Sequence, residues 1–239
     1  AEARLLALAA DDDDGVRHRA TIALGLLATP AAVQRLEQRL RDFDGRTGDD
    51  GVAAAFALGL VPPDRVGTSV ARTLILFRDG SYKRQHDVLM ALLHGLRRHP
   101  PPVDGEPAER RALRELFDDE SNRSPEVRAL LLELLLPIDA TLEHRLLQRT
   151  LRRGSDAERV VLLQWLANRP PDDNDAWIAE LVRAARHDPS PDARAAALLA
   201  LTRRRHLPAL EIAARALGSS SPVECGRALE AMLAIGGAS

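Results

Sequence analysis

A single helical phrase recurs along this chain, and its spacing restricts the possible folds more than any other feature. SPEVRALLLELLL begins at Ser124, SDAERVVLLQWLA at Ser155, SPDARAAALLALT at Ser190 and SPVECGRALEAML at Ser221, so successive starts lie 31, 35 and 31 residues apart. In each copy a Ser able to accept from first-turn amides stands four positions before Arg128, Arg159, Arg194 or Cys225, and an apolar run follows. An earlier copy, Asp13 to Leu27, opens on an acidic cap, Asp13 or Asp14. Its Val16, Ala20, Ala23, Leu24 and Leu27 fall on one stripe of a helix of period 3.6. Repeated helices at this period belong to stacked helical hairpins, in which the core is a seam shared between neighbours.

The intervening sequence supplies the partner helices. A first helix spans roughly 1–10, and Pro30 opens a partner through Arg41 with Val33, Leu36 and Leu40 on one face. After the loop 42–51, Ala57, Leu58 and Gly59 echo Ala23, Leu24 and Gly25 at a distance of 34 residues. Pro62 and Pro63 begin the second partner, which carries Val66, Val70 and Leu74 and ends by Asp79 and Gly80. A third outer helix runs from Tyr82 to Arg98 with Val88, Ala91, Leu92 and Gly95 inward. HPPPVDGEP, residues 99–107, is a Pro-rich connection that cannot be helical, and Glu109 to Phe117 is the partner beyond it. Three hairpins follow: Ser124–Leu136 with Leu142–Arg153, Ser155–Asn168 with Asp175–His187, and Ser190–Arg203 with Pro208–Leu217. A last helix, Ser221–Ile235, has no partner in the sequence. The expectation is an all-α, α-α superhelix of six to seven hairpins forming one domain over 1–239, and a start at Ala1 without Met reads as a piece of a longer protein.

The pattern of acidic or Ser-Pro cap, then V/A-R, then an Ala/Leu run closing in A-L-G resembles HEAT repeats, in particular the short HEAT-like repeats named after phycobilisome lyases. The resemblance covers nearly the whole chain. It implies a right-handed solenoid with the second helix of each pair lining a concave face. It also implies polar ladders between repeats drawn from Asp14, Arg17, Arg128, Arg159, Asp192 and Arg194. The repeats around Gly51 and Tyr82 lack the V-R pair, so a ladder is expected to break there.

Composition narrows the chemistry. Aromatic residues make up only 3% of the chain, as suits helices packed closely through Ala and Leu. Lys83 is the lone lysine among 33 basic residues, and the net charge is −2. Nucleic-acid binding of the kind seen in glycosylases built from HEAT-like repeats needs a strongly basic face with aromatic residues, so it ranks low. Trp165 reads as core; Trp177, following PPDDND, reads as exposed beside Asp172, Asp173 and Asp175, which repel phosphate. Cys225 reads as a small buried hydrophobe, and a lone cysteine excludes an internal disulfide and fits a reducing, cytoplasmic setting. No apolar run approaches the ~18 residues needed to cross a bilayer, and the amino end as given does not read as a charged-then-apolar leader.

No catalytic, cofactor or metal constellation stands out. The acidic groups Asp11–Asp14 and Asp42/Asp44/Asp49/Asp50 lack calcium-loop spacing: counting from Asp42, position six is Thr47 and position twelve Ala53. The histidines lack the His-Glu dyads of hydroxylases built on HEAT-like repeats. Ser81, His86 and Asp87 lie near one another, but capping by Ser81 and a solvated His86 account for them. What remains is a row of arginines at helical spacing: Arg35 and Arg39, Arg110 and Arg114, and Arg145, Arg149 and Arg152. The reading is a non-enzymatic scaffold that binds a protein partner, acidic where it meets these arginines. An accessory subunit or lyase-type chaperone for a prosthetic group is the alternative. Pairing of the same arginines with Glu37, Glu109 and Glu143 is the competing role for the row.

Overall fold

In the computed structural model, residues 2–43, 50–66, 69–78, 86–100, 108–118, 124–138, 143–169 and 177–236 are described, with helices throughout and no strand among them. The chain divides into two compact units, Ala1–Ala140 and Thr141–Ser239. The sequence reads as one domain with its main interruption at 99–107, whereas the division falls between the helices that begin at Pro125 and Glu143.

The first unit contains α1 (Glu2–Leu8), α2 (Asp14–Leu27), α3 (Pro30–Asp42), α4 (Asp50–Gly59), α5 (Pro63–Val66), α6 (Ser69–Arg78), α7 (His86–Leu96), α8 (Ala108–Asp118) and α9 (Pro125–Leu135). Helices α2, α4, α7 and α9 form a row in which each packs on the next. Helix α3 packs on α2 and α4, and α8 on α6 and α9. The second unit repeats the scheme with α10 (Glu143–Arg153), α11 (Asp156–Asn168), α12 (Ile178–His187), α13 (Pro191–Arg203), α14 (Pro208–Ala216) and α15 (Pro222–Gly236). There α11, α13 and α15 make the row, α12 packs on α13 and α14, and α14 on α15. This is an all-α helical-repeat fold, as the period requires.

Local chemistry explains where the helices begin and end. Asp13 caps α2 by accepting from the Val16 amide at 2.9 Å, and Ser124 and Ser190 cap α9 and α13 in the same way. Ser155 and Glu158 form a reciprocal capping box at α11. Helix α2 stops at Ala28, which adopts a left-handed φ of 55° while its amide reaches the Leu24 carbonyl. Thr29 then caps α3, and Pro30 takes the first helical position, where its missing N–H costs nothing.

The rows hold because small residues sit where the outer helices cross. A Cβ on Gly25 would lie 2.2 Å from the Ala57 carbonyl oxygen, and one on Gly59 would lie 2.5 Å from that of Leu92. Gly95 meets the Phe56 carbonyl in the same manner. The recurring A-L-G is therefore a backbone-to-backbone contact, and Leu24 and Leu58 within it, like Leu92 at the next crossing, are fully buried. Each such Leu contributes on the order of 2 kcal/mol of transfer free energy. In the second unit the place of Gly25 is taken by Ala167 and Thr202, both buried.

Several expectations are corrected. The buried stripe of α2 is Ala20, Thr21, Leu24 and Gly25, whereas Val16 is 37% exposed and Ala23 and Leu27 are only partly covered. Trp177 is buried at the start of α12 despite its acidic flank, while Trp165 is half-buried with the Arg169 guanidinium 5.4 Å from its ring centre. The acidic residues 172, 173 and 175, the start of the expected helix at 175, and Ser81 and Tyr82 lie outside the described residues. Cys225 is half-exposed, and its thiol donates to the Ser219 carbonyl at 3.1 Å. Val88, Ala91, Leu92 and Gly95 are buried as the spacing of α7 predicts.

Candidate functional site

The charged residues sort into those that hold neighbouring repeats together and those that face solvent. Three arginines at the fourth position after a cap carry out one repeated task. Arg17 Nε donates to both Asp50 carboxylate oxygens at 2.9 Å, and its Nη1 donates to the Asp11 carbonyl at 2.7 Å. Arg159 reaches Asp188 through Nε at 2.8 Å and Nη2 at 2.9 Å, with Nη1 on the Gly154 carbonyl at 2.7 Å. Arg194 reaches Glu224 at 2.8 and 2.7 Å, with Nη1 on the Asp188 carbonyl at 2.7 Å. Each guanidinium thus ties its own entry loop to a carboxylate of the next layer, a geometry that needs the planar fork of Arg.

The donors of this ladder are legible from the V/A-R pairs, but the acceptors are not. Asp50, Asp188 and Glu224 lie 33, 29 and 30 residues beyond their arginines. The signal was an acidic residue near each following outer-helix start. Arg128, at the same position in its repeat, donates from Nη1 to the Phe117 carbonyl at 3.2 Å, and its guanidinium lies 4.6 Å from the Phe117 ring centre. Phe117 sits at the end of α8.

Electrostatics follow the geometry. Burial pushes the Asp50 carboxyl up, but the Arg17 hydrogen bonds and the charges of Arg17, Arg39 and His18 outweigh it and hold the group below its ordinary value. The Arg194 hydrogen bonds hold Glu224 below the ordinary range against the opposing effect of burial, and the Ser219 hydroxyl assists at 2.6 Å. Asp188 raises the Arg159 pKa, and burial lowers that of Arg39.

The arginines singled out by spacing do not form one class. Arg39 is turned inward: its side chain is 12% exposed, and its guanidinium donates to the Ala9 carbonyl and, at 3.3 Å, to Thr21 Oγ1, 3.7 Å from Asp50. Arg35 is half-buried and donates to Gln38 at 3.4 Å. Arg110 is half-buried and donates to the Ile138 carbonyl at 3.1 Å, and Arg114 is half-buried beside it on α8. Arg149 and Arg152 are exposed on α10, as is Arg153. Arg145 lies on the same helix, but its side chain, like those of Leu146 and Leu147, and residue Leu142 lie outside the described residues. The buried face of α10 in its described part is Thr150 and Leu151.

A cleft of about 290 Å³ in the second unit is lined in part by Arg186, His187, Arg194, Arg215, Ser219 and Glu224. Its cations are engaged: Arg194 with Glu224, and Arg186 and Arg215 both with Glu211. Helices α12 and α14 turn their negative C-terminal ends toward it, which disfavours an anion there. Among the described residues no group of three or more His, Cys, Asp and Glu could hold a metal ion. Among them, too, no helix is long and apolar enough to cross a membrane.

No family model matches the chain, and no curated protein does. Among solved structures it is similar to an engineered protein determined by the Northeast Structural Genomics Consortium. The two are 16% identical with a TM-score of 0.47, over 98% of this chain and 70% of that one.

Proposed function

We propose that the chain is a HEAT-like helical-repeat scaffold that binds an acidic protein partner through α10. The observation that supports this reading is the exposure of Arg149, Arg152 and Arg153 on one short helix, EHRLLQRTLRR, whose sole carboxylate is Glu143 at its start. Elsewhere in the row, Arg39 and Arg110 reach backbone carbonyls of their own unit. Arginines gathered at a helix C-terminus are favoured by the dipole there, and they present planar forks to carboxylates. Binding through exposed charges is steered and screened: association weakens as ionic strength rises and the Debye length falls to about 8 Å at physiological salt.

The test is capture of a partner from source lysate with the parent and with Arg145, Arg149 and Arg152 all changed to Glu, after checking that both melt alike. The expected result is one or more polypeptides retained by the parent, reduced by physiological salt and lost from the variant. Equal recovery by both proteins removes α10 from the binding surface.

A further inference from the structure

Charge is sorted between the two rows of the second unit. The partner helices α10, α12 and α14 carry seven arginines and three glutamates, whereas the outer helices α11, α13 and α15 carry four arginines and five carboxylates. On the partner helices Arg149, Arg152, Arg153, Arg183, Arg186 and Arg215 are all exposed. They gather toward one end: Arg152, Arg153, Arg186 and Arg215 lie in the last turns, with His187 beside them, and Arg149 and Arg183 stand one turn earlier. A single cation per helix would complement the dipole there, and α10 and α12 each present more.

The polar ladder sets these ends side by side. Arg159 donates both to the Gly154 carbonyl, directly after α10, and to the Asp188 carboxylate, directly after α12. Arg194 donates to the Asp188 carbonyl and to Glu224, which also accepts from Ser219 shortly after α14. The basic ends of the three helices are therefore neighbours in one strip. Asp156 and Asp192 open the outer helices beside this edge, and with Glu180 and Glu211 they are still outnumbered by the six exposed arginines.

Glu211 shows what such a strip holds. Its carboxylate is shared by Arg186 of α12 at 3.1 Å and Arg215 of α14 at 2.8 Å, so two cations meet one anion and positive charge is left over. The Glu211 and Arg215 side chains are 55% and 73% exposed, and pairs of that kind are weak enough to be exchanged for a partner's carboxylate. The three helices contain no Trp, Tyr or Phe on which nucleic-acid bases could stack.

We infer that the C-terminal ends of α10, α12 and α14 form one recognition strip for an extended, carboxylate-rich segment of a partner protein, with Glu211 as an internal competitor at Arg186 and Arg215. This rests on the reading of α10 as the binding face and extends it across the unit. Packed helices lie 8–10 Å apart, so three ends span about 20 Å, the reach of roughly six extended residues. The segment lies over the arginine heads, outside the cleft in which the helix dipoles disfavour an anion.

The test is fluorescence anisotropy of a labelled peptide of eight glutamates titrated with the full chain at about 100 mM salt, where charges more than ~10 Å apart are largely screened. All variants are first shown to melt like the parent. The parent should bind the peptide, and Arg186→Gln with Arg215→Gln should weaken binding about fivefold, the effect of two exposed pairs. Glu211→Gln frees the same two arginines and should tighten binding about threefold. Removing two charges at the far end of α13, Arg203→Gln with Arg205→Gln, should change it less than twofold. Binding that falls with Arg149→Gln and Arg152→Gln but not with the Arg186 and Arg215 changes overturns the strip and leaves α10 as the binding face. Equal weakening by the α13 control, or tighter binding of a thymidine decanucleotide than of the peptide, overturns the carboxylate segment. A parent that leaves the peptide unbound at about 500 µM also overturns it, and the partner capture described above then decides separately whether α10 binds at all.

Discussion

Removing Arg159 should destabilise the second unit far more than removing an exposed arginine of the same unit. In Arg159→Ala four hydrogen bonds disappear: two to Asp188 at 2.8 and 2.9 Å, one to Asp156 and one to the Gly154 carbonyl, both at 2.7 Å. The Arg159 and Asp188 side chains are 11% and 6% exposed, so solvent screens the pair little and cannot rehydrate the carboxylate left behind. Truncating one member of a buried pair costs about 3–5 kcal/mol. Asp188 keeps the Ser190 amide at 2.9 Å, which places the loss at the lower end, ~3 kcal/mol. Trp165 and Trp177 both lie in the second unit, so their fluorescence follows its urea unfolding selectively. With a slope of about 1.5 kcal/mol/M the midpoint should fall by ~2 M. The control is Arg227→Ala, whose ion pair with Glu230 is 42% and 47% exposed and should cost no more than ~0.5 kcal/mol. If the Arg159 midpoint moves no further than the Arg227 control, the ladder does not hold the layers together.

Three further outcomes follow from the same packing. Gly25→Ala puts a methyl 2.2 Å from the Ala57 carbonyl oxygen, so α2 and α4 must separate; calorimetry should show a loss of at least ~1–3 kcal/mol, whereas Gly226→Ala should match or exceed the parent. Leu131→Asp places an unpaired charge at a position with no solvent exposure, and circular dichroism should show collapse of the first unit, with a melt near the parent's contradicting the placement of the core. The Asp50 carboxyl is held below its ordinary value of 3.8, so its contribution to stability is complete above that value and is lost as pH falls through its depressed folded value. The stability difference between the parent and Asp50→Asn should thus be largest near neutrality and shrink below pH 3.8; a difference independent of pH refutes the charge argument.

Much of the fold is legible in the sequence because caps and apolar period agree at each outer helix. Ser124, Ser155 and Ser190 are read correctly as starts because one side-chain oxygen satisfies an amide three residues on, a local interaction needing no tertiary context. The layer contacts are only half legible. Gly25 and Gly59 recur visibly, but that a carbonyl of the next helix occupies the space of their missing Cβ is a tertiary fact. The arginine row shows the same limit. A spacing of four places Arg35 and Arg39 on one side of α3, yet Arg39 turns inward because α1 ends beside it and exposes the Ala9 carbonyl. Arg110 is likewise drawn to Ile138, beyond the end of α9, and no feature of α8 announces it. Trp177 misleads because the acidic residues before it in sequence read as a solvent-facing stretch, while its own apolar surface decides its burial.

The division between inward and exposed arginines is tested most directly by comparing two charge reversals in parallel, Arg39→Glu with Arg110→Glu, and Arg149→Glu with Arg152→Glu. Melting temperature and partner recovery are measured on both. Reversing the inward pair should lower the melting temperature by more than 5 °C, as a loss of a few kcal/mol requires. Reversing the exposed pair should leave melting within about a degree of the parent and abolish partner recovery. The opposite pattern, with the exposed pair destabilising and the inward pair silent, would contradict the assignment of α10 as the binding face.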